Sequence, residues 1–520
     1  MRTRLIATSR FAWRWLRRAL IGVACLLLAV AGGFTGYALL ALPALEPWHT
    51  EVLDGEFDAD EHAALDFAGY QALEGALFEQ SARWIAQQAD HPRLRATRFD
   101  PQGVSQRLAQ GAPYNRSYRL AVTQGPVRGT ALLVHGLTDS PYSVRALAEA
   151  LHAQGIEVTA LRLPGHGTLP SMLTRVRLED WEAALRLAVR DVAARTPAGA
   201  PFYLGGYSTG GTLVLNHALQ ALDDPALRRP DRLLLIAPAV EITAAAFFAN
   251  VMDIAAVLPG GALQKVKWQA VLPEYDPYKF NSFPVNATRQ VRNATRALQA
   301  SLAKVAQQGR LRELPPVLAW QSLVDSTIGT RPLVDRVFAR LDDPAHRLVL
   351  FDVNRYRGLA PVSSDAPRVL RERVLAQPRR WQLALVTNRD EDSVDVRAVN
   401  VEAGSLAGAS ARDATAASAA DPAAVDAAAL RWPNDVISLS HVALPFRPDD
   451  PVYGVLPGSG ANGLPSLGSL ALRGEEGALQ FPLGSLARLR SNPFWAVIED
   501  QVRQAVADDL ARRPLRPSRG

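Results

Sequence analysis

From Ser117 onward, short apolar runs alternate with stretches of helical periodicity, and this alternation narrows the possible folds more than any other feature of the chain. Residues 118–123, 130–134, 156–161, 202–204, 233–236, 317–320 and 347–351 have strand length. Residues 144–154, 178–194, 213–222 and 333–341 carry helical spacing between them. Runs that stay apolar on consecutive residues suit strands buried on both faces. Strands separated by helices run parallel, because a parallel neighbour is reached only by a crossover. The expectation is an α/β fold: a mostly parallel sheet flanked by helices, with a cap insertion and an N-terminal transmembrane helix.

The rhythm divides the 520 residues into segments. Residues 1–45 are a basic stub and an apolar anchor. Residues 46–116 are a polar extension, with a helix expected near 60–88. Residues 117–240 and 310–356 are the two halves of the core. Residues 241–309 interrupt it as a cap or lid rich in apolar side chains (Phe247, Phe248, Val251, Met252, Ile254, Val257, Leu258). Residues 357–430 are an insertion, with possible strands at 382–387 and 394–401 and an Ala/Ser/Asp-rich flexible loop at 403–429. Residues 431–520 close the chain, ending in a helix near 493–511 for which Asn492 is the expected cap.

The net charge of +6 first suggests a nucleic-acid or lipid partner. Six arginines (Arg2, Arg4, Arg10, Arg14, Arg17, Arg18) carry that excess before residue 19, and the rest of the chain is close to neutral. The charge is therefore a terminal feature, and a nucleic-acid role is set aside. Residues 19–45 contain no charged side chain, and about 20 apolar residues suffice for a bilayer span. Arginines on one flank hold that end in the cytoplasm, which sends the remainder to the far side of the membrane, the periplasm in a Gram-negative cell. A cleaved signal peptide is the rival reading. Cys25, the single cysteine, lies in this run, so no intrachain disulfide, zinc cluster or catalytic thiol can be built. Asp54, Glu56, Asp58 and Asp60 alternate as in a calcium loop, but Ala59 stands where such a loop needs glycine. A solvated acidic turn is expected there. No cofactor and no metal are expected, and the membrane is an expected partner.

Gly206-Tyr207-Ser208-Thr209-Gly210 follows an apolar strand and leads into a helix-compatible stretch. A sharp strand-to-helix turn exposes a serine hydroxyl, and flanking glycines let the backbone pass closely. A serine needs a base, and a base needs an orienting acid. Of the nine histidines only His346 and His441 follow the expected acid. His346 precedes a strand; His441 sits in a loop-like stretch and is the candidate base. Asp325, just past the 317–324 run, is the candidate acid, with Asp352 its competitor after the next strand. The oxyanion requires N–H donors. Thr209, after the nucleophile, and Leu137, after the 130–134 strand, are in position to supply them. His135, His166 and His217 are expected to be structural.

These residues together resemble the α/β-hydrolase superfamily, in the branch of monoacylglycerol lipases, bacterial carboxylesterases and S33-type serine hydrolases. The resemblance rests on Val134-His135-Gly136-Leu137-Thr138, Leu163-Pro164-Gly165-His166-Gly167, Gly206 to Gly210, Val324-Asp325 and Leu439-Ser440-His441. It covers roughly residues 117–356 and 432–512. It implies ester or related acyl hydrolysis through a Ser-His-Asp triad, without a metal, under a cap that shapes the acyl pocket. Peptidase, thioesterase or acyltransferase chemistry with the same triad, and a non-catalytic scaffold, are the alternatives. The chain departs from the family in its anchor and in the roughly 85 residues that separate Tyr356 from His441.

Overall fold

The computed structural model describes residues 42–95, 97–111, 113–241, 261–401, 430–433, 436, 438–455 and 488–513, with scattered residues of 13–40. The apolar cap run at 247–258, the Ala-rich loop at 403–429 and most of a Gly/Pro/Leu-rich stretch at 454–484 lie outside these residues.

Strands β1 (Tyr118–Leu120), β2 (Gly129–Val134), β3 (Ile156–Leu161), β4 (Phe202–Tyr207) and β5 (Arg232–Ile236) open the core. After a two-stranded hairpin, β6 (Trp268–Ala270) and β7 (Phe283–Pro284), come β8 (Val317–Ser322), β9 (Arg347–Asp352), β10 (Gln382–Asn388) and β11 (Val396–Val401). All but the hairpin join one nine-stranded sheet, ordered β1-β3-β2-β4-β5-β8-β9-β10-β11. Every pairing from β3 through β10 is parallel, and only the edge strands β1 and β11 run antiparallel. The central strands are buried along their whole length, as consecutive apolar residues require. In a parallel sheet the strands share one C-terminal edge, where ligands bind in folds of this kind.

The helices are α1 (Phe67–Gln87), α2 (Val104–Gly111), α3 (Arg145–His152), α4 (Leu178–Arg195), α5 (Thr209–Asp223), α6 (Val285–Gln307), α7 (Ala366–Ala376) and α8 (Trp495–Arg512). Helices α4, α5 and α6 bury apolar stripes in the core on one face of the sheet. Helices α3 and α8 fill the other face. Helix α8 is fastened by a two-pronged ion pair between Arg232 and Asp509, both contacts 2.7 Å. Its approach is capped as expected, since Asn492 accepts a hydrogen bond from the Phe494 N–H, although the helix itself starts at Trp495.

Three elements differ from the sequence expectation. Helix α6 falls inside the segment read as a cap, yet its Ala287, Val291, Ala294, Leu298, Leu302 and Val305 belong to the main core. The 333–341 helix is a chain of short helical turns from Thr330 to Arg340. The acidic turn is not solvated as a whole. Glu56 pairs with Arg162 at 2.8 Å, and Asp58 and Asp60 pair with Arg177 at 3.0 and 2.7 Å. No sequence period marks a partner more than a hundred residues away.

No helix among the described residues is long and apolar enough to cross a membrane. The span read over 19–45 is therefore not found there, and part of that stretch lies outside the described residues. Leu20, Ile21, Val23, Leu26 and Leu40 of that stretch are exposed, and Leu42 and Leu45 are half-buried.

The 46–116 extension packs onto the core. Its Trp48, Leu77, Trp84 and Phe99 cluster with Leu169 and Met172. Beneath them lies Arg162, 1 % exposed, against the carboxylates of Glu56 and Glu74. Glu74 also accepts the Ser117 N–H. Burial pushes the Glu74 carboxyl above its ordinary range, and Arg162 pulls it back. Replacing Arg162 by Met is expected to cost about 3–5 kcal/mol, because two carboxylates then lose their cation. Glu74 holds its proton more tightly folded than unfolded, so its contribution to stability is lost as pH rises. Without Arg162 that loss widens. The variant's deficit in unfolding temperature should be smallest near pH 5 and grow toward pH 8; a pH-independent deficit would refute this assignment.

Candidate active site

Ser208 lies between the last residue of β4 and the first of α5, with φ +51° and ψ −117°. A positive φ is costly for a residue with a Cβ, and such strain concentrates at functional positions. The surroundings hold it in place. The Ser208 N–H donates to the Ile236 carbonyl at 3.0 Å, and its carbonyl accepts from the N–H groups of Ala239 and Thr212 at 3.1 and 3.2 Å. The flanking glycines are required by contact: a Cβ on Gly206 would strike the Gly210 backbone, and one on Gly210 the Val134 carbonyl.

The loop after β2 comes up against this turn. A Cβ on Gly136 would lie 3.2 Å from the Ser208 Cβ and 2.7 Å from Asp139 Oδ2. Gly136 is therefore beside the nucleophile, and the next residue, Leu137, is half-buried. Thr138 has φ +63°, and its carbonyl accepts from the Phe280 N–H at 2.8 Å, which braces the loop from outside. Thr209 is buried and opens α5, where the first N–H groups of a helix have no carbonyl one turn back.

Asp325 follows β8 on the same C-terminal edge of the sheet. Its Oδ1 accepts the N–H groups of Thr327 and Ile328 at 3.0 and 2.8 Å, and its Oδ2 accepts Gln321 Nε2 at 3.2 Å. His441 Nδ1 stands 3.9 Å from Asp325 Oδ2, so the pair is adjacent but not hydrogen-bonded. Both side chains are buried, at 9 % and 1 % exposure.

The competitors are placed elsewhere. Asp352 ends β9 and pairs with Arg371 at 2.9 Å; burial pushes its carboxyl up to about 6. His346 lies at the opposite edge of the sheet, where its Nδ1 accepts the Val317 N–H at 3.1 Å, and burial lowers it to about 4. His135 Nε2 accepts the Leu163 N–H at 3.0 Å, which ties the loop after β2 to the loop after β3. Burial holds His135 near 3 and His166 well below the usual histidine range, so both are neutral packing groups. His217 faces the Arg228 carbonyl, away from the elbow. Gln321, Asp139 and Asn354 were not singled out from the sequence. Each is a lone polar residue with no period to mark it, and only its partners show its place.

A serine at a strained strand-to-helix turn after a parallel strand, beside the loop after β2 and on the same sheet edge as an Asp–His pair, has the local geometry that a nucleophile elbow requires. Comparison with known proteins gives partial matches. Residues 125–326 match the family described as "Serine aminopeptidase, S33", a stretch that includes Ser208 and Asp325 but stops before His441. The thermostable monoacylglycerol lipase of Bacillus sp. (strain H-257) is 40 % identical over 91 residues, 18 % of this chain and 34 % of that protein. The chain thus spans about a third of the length of that relative. Among solved structures, the monoacylglycerol lipase of Paleococcus ferrophilus has 18 % identity and a TM-score of 0.34, covering 50 % of this chain and 97 % of that one. Est1E of Butyrivibrio proteoclasticus, solved with ferulic acid, has 18 % identity and a TM-score of 0.32, covering 50 % and 92 %.

Proposed function

We propose that this protein is a serine hydrolase of carboxylic esters, with Ser208 as nucleophile, His441 as base and Asp325 as the acid that orients it. The observation that carries the proposal is the strained Ser208 turn set against the Leu137 loop, on the same sheet edge as the Asp325–His441 pair. In this reading Ser208 Oγ attacks the ester carbonyl and His441 takes its proton. The N–H groups of Leu137 and Thr209 receive the developing oxyanion. His441 then protonates the leaving alcohol, and water repeats the sequence on the acyl-enzyme. The 3.9 Å between His441 and Asp325 shortens in the substrate complex, as catalytic hydrogen bonds tighten when the site is occupied. Arg, Lys and metal groups have no assigned part in these steps.

The substrate proposed is hydrophobic or lipid-like. The apolar side chains of the lid segment support this, and so does the name of the Bacillus relative. Fluorophosphonate labelling, with turnover of p-nitrophenyl esters of graded acyl length, tests it. Labelling at Ser208 with turnover rising toward long chains is expected; a well-folded protein that takes no label is instead a scaffold. Peptide, thioester and acyl-acceptor substrates run beside the esters separate the related chemistries.

We further propose that residues 19–45 tether the protein to a bilayer, with the hydrolase domain on the side away from the arginines. The uncharged run and its exposed side chains support this. Full-length protein is expected in the membrane fraction and a 46–520 truncation outside it; equal partition of the two would refute the tether.

A further inference from the structure

His441 is separated from β9 by a long excursion. After Asp352 the chain forms α7, pairs β10 and β11 onto the sheet edge, and passes through 402–429 before it returns. Closing a connection of that length costs entropy and does not by itself fix a base that must face Ser208 from the C-terminal edge, although backbone bonds of Leu430 and Trp432 to β11 and its approach bring the chain back part of the way. Something other than chain connectivity has to return the His441 loop to β9.

Asn354 stands two residues past the end of β9. Its Nδ2 donates to the Ser438 carbonyl at 2.6 Å and to the Ser440 carbonyl at 2.9 Å. One side-chain amide therefore holds the backbone on the N-terminal side of His441 at two points. The amide can be oriented only one way, since its oxygen in that place would face two acceptors. Other bonds close the loop around it. Ser440 N–H donates to Ser438 Oγ at 3.0 Å, Leu489 N–H donates to Ser440 Oγ at 3.0 Å, and Trp432 Nε1 donates to the Val353 carbonyl at 3.3 Å. Ser438 and Ser440 are both buried, at 1 % and 0 % exposure, so their carbonyls depend on protein donors.

We propose that Asn354 is the positioning residue for His441: it fastens the base loop to the end of β9 across the long excursion that separates them in the chain. Asn354 touches no reacting atom and acts only through the placement of the imidazole. The inference rests on the serine-hydrolase reading of the site.

The test is a set of four proteins on one p-nitrophenyl ester: wild type, Asn354→Ala, His441→Ala and the double variant. Asn354→Ala is expected to lower kcat about 100-fold, the scale of a displacement of about 1 Å at a catalytic group, with KM within twofold of wild type. In the His441→Ala background the same substitution is expected to cause no further loss, because there is no base left to place. A kcat within threefold of wild type overturns the proposal. So does a loss in the His441→Ala background equal to that in wild type, which would mark a general structural role. Asn354→Asp keeps the volume and removes the donor, and it is read the same way if Asn354→Ala does not fold. Ser208→Ala is measured alongside. If it keeps full turnover, the serine-hydrolase reading fails and this inference with it; if it is inactive while Asn354→Ala is not, only the positioning role fails.

Discussion

Ser208→Ala should lose about six orders of magnitude in kcat, together with all fluorophosphonate labelling, while remaining folded. The magnitude is that of removing the nucleophile from a triad whose members act as a unit. Residual turnover, about a thousandfold or more above water, should persist through the oxyanion donors and substrate binding. The backbone adds a second, independent expectation. At φ +51° the serine pays for its Cβ, and glycine does not. Ser208→Gly should therefore be as inactive as Ser208→Ala but more stable than wild type, by roughly 1 kcal/mol. Differential scanning calorimetry on the three proteins checks it. A Ser208→Gly protein that unfolds below Ser208→Ala would mean that the turn is not strained, and would remove the structural argument for an elbow. Function held at the expense of stability is the common pattern at such positions.

How much of this was legible in the residues depends on the range of the interaction. The core strands β2, β3, β4, β5, β8 and β9 were found within two or three residues, because burial on both faces writes a continuous apolar run into each. The elbow was legible because strand, glycines and helix are neighbours in the chain. Asp325 and His441 could be nominated by order alone, and their 3.9 Å separation is a tertiary fact. Helix α6 was not legible as a core element, since it lies inside the segment read as a cap and its apolar stripe is diluted by Arg289, Arg292, Arg296 and Lys304 on its other face. The acidic turn looked solvated because its arginine partners, Arg162 and Arg177, are more than a hundred residues away. Asn354 left no trace at all: a single asparagine after a strand reads as a turn residue until the two carbonyls it holds are seen.

Asp325→Asn should lower kcat about 10⁴-fold at unchanged KM, whereas Asp352→Asn should leave kcat within a few-fold of wild type. The two carboxylates stand at the C-terminal ends of neighbouring strands, Asp325 as the candidate acid and Asp352 as its competitor, and their surroundings separate them. Asp325 Oδ1 is held by two backbone N–H groups, an arrangement that an asparagine oxygen reproduces. The amide nitrogen then falls at the Oδ2 position, toward Gln321 Nε2 and His441 Nδ1. Gln321 Nε2 is a donor, so a donor meets a donor. His441 can satisfy the new amide only by turning an unprotonated Nδ1 toward it, which puts the proton on the nitrogen that must accept from Ser208. The base is left in the wrong tautomer, which is what costs four orders of magnitude in a triad of this kind. Asp352 has no such lever. Its Oδ2 is taken by Arg371 at 2.9 Å and faces Thr387 Oγ1 at 3.4 Å, so its loss is read in the packing of α7 against β9 and β10 rather than in the rate. The comparison of the two variants at saturating ester decides the acid. Should Asp352→Asn carry the large loss and Asp325→Asn the small one, the base would have to draw its orientation from β9, and the 3.9 Å pair would be a neighbour without a role.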